Sequence, residues 1–325
     1  MRFSELRRGL LVLAATAGAA APALADNYPS RPIKVIVGFG PGSASDTFMR
    51  IFAQKLSEAL NTPVIVENKA GAGQVAAVRA LQAAPADGYT LYLGSGSSMA
   101  QGPGLRSDLP FDPLKDFGMI SYLADLPGAI IVAPGVPARN IAELIAHIKA
   151  NPGQLNFGSS GVGSGGHLAG ELFMARTGTK MIHIPYKADT EAAKEVGAGT
   201  LQVAFTTLRT AAPLHAAGKV RALAVNDTRP HAQLPGVPPV TDTPILKDMV
   251  PYSWYALVGS PKLPQDIVRK LSEACAKVAA MPDYVAIQQA AGVIPGSSTP
   301  EQLRATTEKE IVKWREVGKT VKIDF

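Results

Sequence analysis

The residues best suited to chemistry lie in short loops rich in glycine and serine. The first runs from Gly38 to Asp46, where Gly42, Ser43, Ala44 and Ser45 lead into Asp46. Such a loop opening a helix is an anion cradle: its N–H groups have no intrahelical partner, and the helix dipole places partial positive charge there. Ser43, Ser45 and Asp46 are candidate caps, and Gly42 lets the backbone approach a ligand closely. As an exposed carboxylate Asp46 would repel an anion, so it is expected to cap and hold the loop. A second loop follows at Gly94–Ser98, with Ser95, Gly96 and Ser97. A third, from Gly158 to Gly166, contains Ser159, Ser160, Gly163, Ser164 and Gly165 and runs into His167. His167 is expected to order that loop by hydrogen bonding rather than act as a base.

The elements needed to position these loops are legible around them. Ile33–Val37 is a short β-branched run that reads as a buried strand. Phe48, Ile51, Phe52, Leu56 and Leu60 then recur at helical spacing. Further strands are expected at 63–68, 89–93, 119–123, 129–132, 155–157, 201–205, 220–225 and 254–258. Helices are expected after 73, after Asn140 with a capping box to Glu143, from His167, and three times at the end of the chain. The segments 109–117 and 234–244 read as proline-containing connections. Alternating strands and helices mean βαβ units and mainly parallel sheets, with ligands bound beyond the carboxyl ends of the strands. About 300 residues after the leader exceed one comfortable core, so the reading is α/β with two domains.

Residues 1–25 have a basic start, a limited apolar stretch and an Ala23-Leu24-Ala25 ending, the pattern of a secretory signal peptide cut before Asp26. Arg7-Arg8 leaves general and twin-arginine export both open. Three Arg and one Glu in this leader account for two of the net +6, leaving about +4 without basic runs. That is no nucleic-acid footprint, and no later stretch approaches the ~20 apolar residues of a membrane helix. Cys275, the sole cysteine, is expected to be a buried, inert thiol. His215 and His231 have no metal-ligand spacing, and neither metal nor cofactor is expected.

Seven stretches carry a family resemblance: Y-P-S-R-P-I-K-V-I-V (28–37), P-G-S-A-S-D (41–46), V-I-V-E-N-K-A-G-A-G (64–73), A-P-A-D-G-Y-T-L (84–91), S-S-G-V-G-S-G-G-H-L-A-G-E (159–171), H-I-P-Y-K (183–187) and A-G-K-V-R-A-L-A-V (217–225). Together they resemble the substrate-binding proteins of tripartite tricarboxylate transporters, the Bug family. The resemblance implies a periplasmic Venus flytrap, type II-like, with domain I formed by 26–124 plus 238–325 and domain II by 125–237. It implies a monomer that closes on a small organic acid and passes it to membrane transporter subunits, and no enzyme. It also implies that loop amides, hydroxyls and waters hold the carboxylate. Phe39, Gly42–Asp46 and Ser95–Ser97 would form one wall; Ser159, Ser160, Gly163–Gly165 and His167 would form the other, with Tyr186, Lys187, Phe205, Thr206 and Thr207 nearby. The chain departs from the family at Ser43 and Ala44 and at Ala188, where glycines are usual. It also departs in L-Q-V-A-F-T (201–206), where two acids of a V-D-x-x-F-D pattern are gone. Losing an acid at the pocket edge is expected to favour a more anionic, or less amine-bearing, ligand.

Three other functions compete. Gly38-x-Gly40 with Glu67 mimics part of a dinucleotide fingerprint, though the third glycine is missing and Pro41 interrupts it. Gly94-Ser95-Gly96 and Gly163-Ser164-Gly165 are fragments of a hydrolase elbow. A sensory protein using the same closed form to dock a receptor is the third.

Overall fold

A computed structural model describes residues 28–250 and 252–320; the expected leader and its cleavage point lie outside them. The chain opens with β1 (Ile33–Val37), α1 (Ala44–Leu60), β2 (Val64–Asn68), α2 (Val75–Gln82) and β3 (Thr90–Ser95). β1 pairs in parallel with both β2 and β3, so its carboxyl end and that of β3 emerge side by side. After β3 the chain winds into a π-helical turn at Ser97–Gln101, where the sequence reads only as a loop, and continues as α3 (Gly102–Leu105). The connection at 109–117 contains α4 (Pro113–Asp116), capped by Asp112, before β4 (Gly118–Leu126).

Only Pro127 separates β4 from β5 (Gly128–Val132), yet the two strands belong to different sheets. The second sheet then builds through α5 (Ile141–Ala150), β6 (Asn156–Ser159), α6 (Gly165–Thr177), β7 (Ile182–Pro185), α7 (Asp189–Ala198), β8 (Val203–Thr207), α8 (Leu208–Ala216) and β9 (Arg221–Asn226). Its order is β7-β6-β8-β5-β9. The chain returns through β10 (Ser253–Gly259), α9 (Gln265–Ala279), α10 (Pro282–Ala290), the two-residue β11 (Ile294–Pro295) and α11 (Pro300–Thr320). The first sheet is ordered β11-β4-β10-β3-β1-β2.

The two-lobed α/β expectation holds, but both sheets are mixed rather than mainly parallel. β10 runs antiparallel to β3 and β4, β11 runs antiparallel to β4, and β5 runs antiparallel to β8 and β9. For β5 and β10 the cause is connectivity: a strand that enters a sheet from the neighbouring lobe arrives from the cleft side, opposite to the βαβ strands.

Local signals account for the helices. Ser43 caps α1 and Ser164 caps α6, so α6 begins two residues before His167. Asn140 and Glu143 exchange hydrogen bonds at the start of α5, and Thr299 and Gln302 do so at the start of α11. Apolar clusters cover the two faces of the first sheet and one extended core fills the second lobe. Trp314 and Val317 of α11 join that second core although their helix follows β11 of the first sheet. Gly104 permits this approach, since a Cβ there would sit 2.6 Å from the Trp314 Cβ. Cys275 is fully buried in the first lobe and burial pushes its thiol pKa up, as an inert thiol requires. Among the described residues no helix is long and apolar enough to cross a membrane.

Candidate functional site

The loops after β1 and β6 have the same construction. Gly42 and Gly163 both lie at φ 75°, a left-handed conformation suited to glycine. The next residue, Ser43 or Ser164, takes extended backbone and its hydroxyl accepts from the N–H three residues on, Asp46 or His167. The fourth residue then reaches back. Asp46 Oδ2 accepts the Gly42 N–H at 2.9 Å, and His167 Nδ1 accepts the Gly163 N–H at 3.1 Å. One motif, Gly-Ser-x-x-Asp or Gly-Ser-x-x-His, thus fixes the start of a helix in each lobe, and the second loop also meets the turn after β2: a Cβ on Gly73 would stand 3.2 Å from the Val162 carbonyl, and one on Gly163 3.5 Å from the Gly73 Cα.

Asp46 is buried behind its loop, not facing a ligand. Burial alone would raise its pKa, but hydrogen bonds from Arg50, the Gly42 amide and Asn68 outweigh it and hold the carboxyl below the usual range. His167 is buried too and stacks on His183 with ring centroids 4.1 Å apart. Burial first, then His183 and Arg106, push His167 down to about 3, and burial pushes His183 down to about 4. Both rings are neutral at ordinary pH, and His167 serves as the loop's acceptor.

Between the lobes lies a cavity of about 30 Å³. That is room for a few waters, each needing ~10–15 Å³. Of the expected residues, Phe39, Ser43, Ala44, Ser45, Ser95, Ser97, Ser160, Gly165 and Thr207 line it. Gly42 instead lines a larger neighbouring cavity of about 220 Å³, which shares Ala44 with the first. Gly96 packs against Ser253 and Trp254, while Ser159 bonds His183 at 2.7 Å. Gly163, Ser164, Asp46 and His167 support the loops from behind. Phe205 and Thr206 are buried at the end of β8. Tyr186 packs at the edge of the second core, and Lys187 is exposed, its carbonyl accepting from the Gly40 N–H of the first lobe at 3.4 Å.

Several site residues escape the sequence reading. Tyr255 on β10 lines the small cavity with its hydroxyl 2.6 Å from Ser45 Oγ, and Tyr252 donates to the Phe205 carbonyl at 3.1 Å. Burial raises both phenols, so they stay protonated. Gln74 donates to Ser95 and Ser97 at 2.9 and 2.7 Å and accepts from Tyr92, with its own backbone at φ 74°. Most consequential is Asp189, the first residue of α7. Its Oδ1 accepts the Ala44 N–H at 3.2 Å across the cleft. Its Oδ2 accepts from Thr206, Thr207 and Thr210 at 3.3, 3.1 and 2.8 Å. An aspartate therefore lies beside the Thr206 hydroxyl, reaching it from another element. Position 189 carries no fold signal of its own, since its partners are supplied by β8, α8 and the other lobe.

Glu67, the acid of the dinucleotide-like pattern, pairs with Lys34 at 3.0 Å and Lys69 at 2.7 Å. Among the described residues no group of His, Cys, Asp or Glu is placed to hold a metal ion.

Comparison with known proteins gives a consistent picture. The sequence model described as the tripartite tricarboxylate transporter family receptor matches residues 48–323. BugT of Bordetella pertussis is 33% identical over 331 residues, covering 99% of this chain and 100% of that protein. A solved periplasmic transporter is 34% identical with a TM-score of 0.85, over 91% of this chain and 100% of that one. An R. palustris protein solved with adipate is 27% identical with a TM-score of 0.83, over 90% and 98%.

Proposed function

Because the chain belongs to the tripartite tricarboxylate transporter receptor family, we propose that it is an extracytoplasmic solute-binding protein that captures a small organic carboxylate between its lobes and delivers it to a membrane transporter. The observation that carries this reading is the pair of identically built Gly-Ser loops facing one another across a hydroxyl-lined cavity. Each loop fixes a helix N-terminus at the cleft, and an anion there is favoured by amide geometry and dipole alike. The related protein solved with adipate supports a carboxylate as the ligand class. The lobes, residues 26–124 with 238–325 and residues 125–237, would close on the acid, which shifts the equilibrium through its greater affinity for the closed form. Export by a leader cleaved before Asp26, a monomeric state and a binding rather than catalytic role complete the reading.

A thermal-shift screen of the protein, refolded to remove any carried-over ligand, tests it. The panel holds mono-, di- and aromatic carboxylates, acidic amino acids, and NAD. A ligand at a hundred times its Kd stabilises by ~2.7 kcal/mol, a shift of several degrees. Stabilisation by a carboxylate and not by NAD is expected; a shift with NAD alone would overturn it.

A further inference from the structure

We propose that Asp189 is a tethered competitor for the loop site: its carboxylate holds the Ala44 amide until an acid binds, and the incoming carboxylate must displace it. The inference concerns the regulation of that site and rests on the carboxylate-capture reading above.

Three helix starts converge on this one side chain. Asp189 is itself the first residue of α7. Its Oδ1 accepts from the N–H of Ala44, the first residue of α1, at 3.2 Å. Its Oδ2 accepts from Thr206 at 3.3 Å, from Thr207 just before α8 at 3.1 Å, and from Thr210 in the first turn of α8 at 2.8 Å. The positive ends of three helix dipoles thus surround a single carboxylate, a setting that favours an anion. Here the chain supplies that anion itself. The other loop differs at the matching position. Gly165 opens α6 after the Ser164 cap and lines the same cavity, yet no carboxylate among the described residues meets its N–H. Asp189 is therefore an occupant of one half of a paired site, separate from the loop construction that both halves share.

Displacement follows from space and charge. Asp189, Ala44, Ser45 and Ser160 line one cavity of about 30 Å³, which holds waters but no organic acid while Asp189 stays in place. One N–H serves one strong acceptor, and two carboxylates side by side in a desolvated cleft repel each other. The turn that carries Asp189 is lightly tied to the first lobe. The Lys187 carbonyl accepts from the Gly40 N–H, and the Thr190 hydroxyl donates to the Gly42 carbonyl, each at 3.4 Å and so beyond the usual hydrogen-bond length. These ties can part together with the Ala44 contact and leave Asp189 on its threonines. A contact made only before binding reduces the binding-competent fraction, so Asp189 sets the affinity for acids below what the loops alone would give.

The test is calorimetric titration of the refolded wild-type protein, Asp189→Ala and Asp189→Asn with acetate, succinate, adipate and benzoate. At least one acid should bind Asp189→Ala more tightly than wild type by roughly tenfold or more, the worth of a hydrogen bond to a charged group. Asp189→Asn is neutral but still able to accept from Ala44, and should gain less. A crystal structure of the wild-type protein with its best-bound acid gives a readout that needs no variant: an oxygen of the acid should lie within hydrogen-bond distance of the Ala44 nitrogen, with Asp189 beyond it. Asp189 still bonded to Ala44 in that complex, or an affinity that is unchanged or weaker in Asp189→Ala, overturns the competitor and leaves carboxylate capture intact. If no acid binds the wild type or either variant, the capture reading falls as well.

Discussion

The Ala44 amide, at the start of α1 in one lobe, donates to the Asp189 carboxylate of the other lobe over 3.2 Å. A helix N-terminus suited to a ligand's anion is thus met by the protein's own carboxylate. Thr190 adds a weaker tie from its hydroxyl to the Gly42 carbonyl at 3.4 Å. Asp189→Ala should therefore open the ligand-free protein. The expected result is a larger radius of gyration by small-angle scattering, with a stability loss of about 1–3 kcal/mol from three buried threonine hydroxyls left without their acceptor. Identical scattering from the two ligand-free proteins would show that Asp189 does not hold the lobes together.

Gly42 and Gly163 share φ 75°, each one residue before a serine cap. Alanine at either site must adopt a left-handed backbone, at a cost of roughly 1–2 kcal/mol, although neither Cβ would meet a severe clash. Gly42→Ala and Gly163→Ala should lower stability by similar amounts in urea unfolding, and each should weaken carboxylate binding because the cap serine moves. Substantially unequal losses would mean the two loops are not equivalent.

The loops themselves were legible because their signals are local. Glycine before serine, serine as cap and an apolar stripe beyond it are all readable within a dozen residues. The capping boxes at Asn140 and Thr299 followed for the same reason. Asp189, Tyr252 and Tyr255 were not legible, since each enters the site through pairing of elements distant in sequence. Asp189 touches Ala44 from 145 residues away, and Ser45 meets Tyr255 across 210. The mixed sheets escaped for a related reason: hydrophobic runs mark strands, but direction is set by which lobe the chain arrives from. Lys187 is exposed at the turn after β7, where its carbonyl accepts from the Gly40 N–H.

Gln74 is held at φ 74° so that its amide can join Ser95, Ser97 and Tyr92. A non-glycine residue there is strained, and such strain gathers at functional sites. Gln74→Gly removes the amide but suits the backbone; Gln74→Ala removes the amide and keeps the strain. The alanine variant should be less stable by about 1 kcal/mol. Both should lose ligand affinity alike, because Ser95 and Ser97 lose the group that aims their hydroxyls. Equal stability of the two variants in urea unfolding would remove the case for strain; unchanged affinity would remove the case for a role in binding.

Acid should unfold this protein through its paired histidines before it does so through its carboxylates. Burial holds His167 at about 3 and His183 at about 4, whereas an unfolded histidine titrates near ~6.5. Below pH ~6.5 the unfolded chain therefore binds protons that the folded chain refuses, and stability falls as pH drops toward 4. Above that range neither state is protonated and the contribution is complete. Asp46 acts in a lower window, because its depressed pKa supports the fold above about 4 and loses its effect below. Protonating His167 would also take away the acceptor for the Gly163 N–H, so carboxylate affinity should fall together with stability. Unfolding free energies from urea titrations at pH 7.5 to 4.5 should decline as pH falls, with this pair contributing a slope approaching two protons, and His183→Gln should remove about one of them. A wild-type stability that stays level across the range would mean that the two rings are protonated in the fold or exposed to solvent.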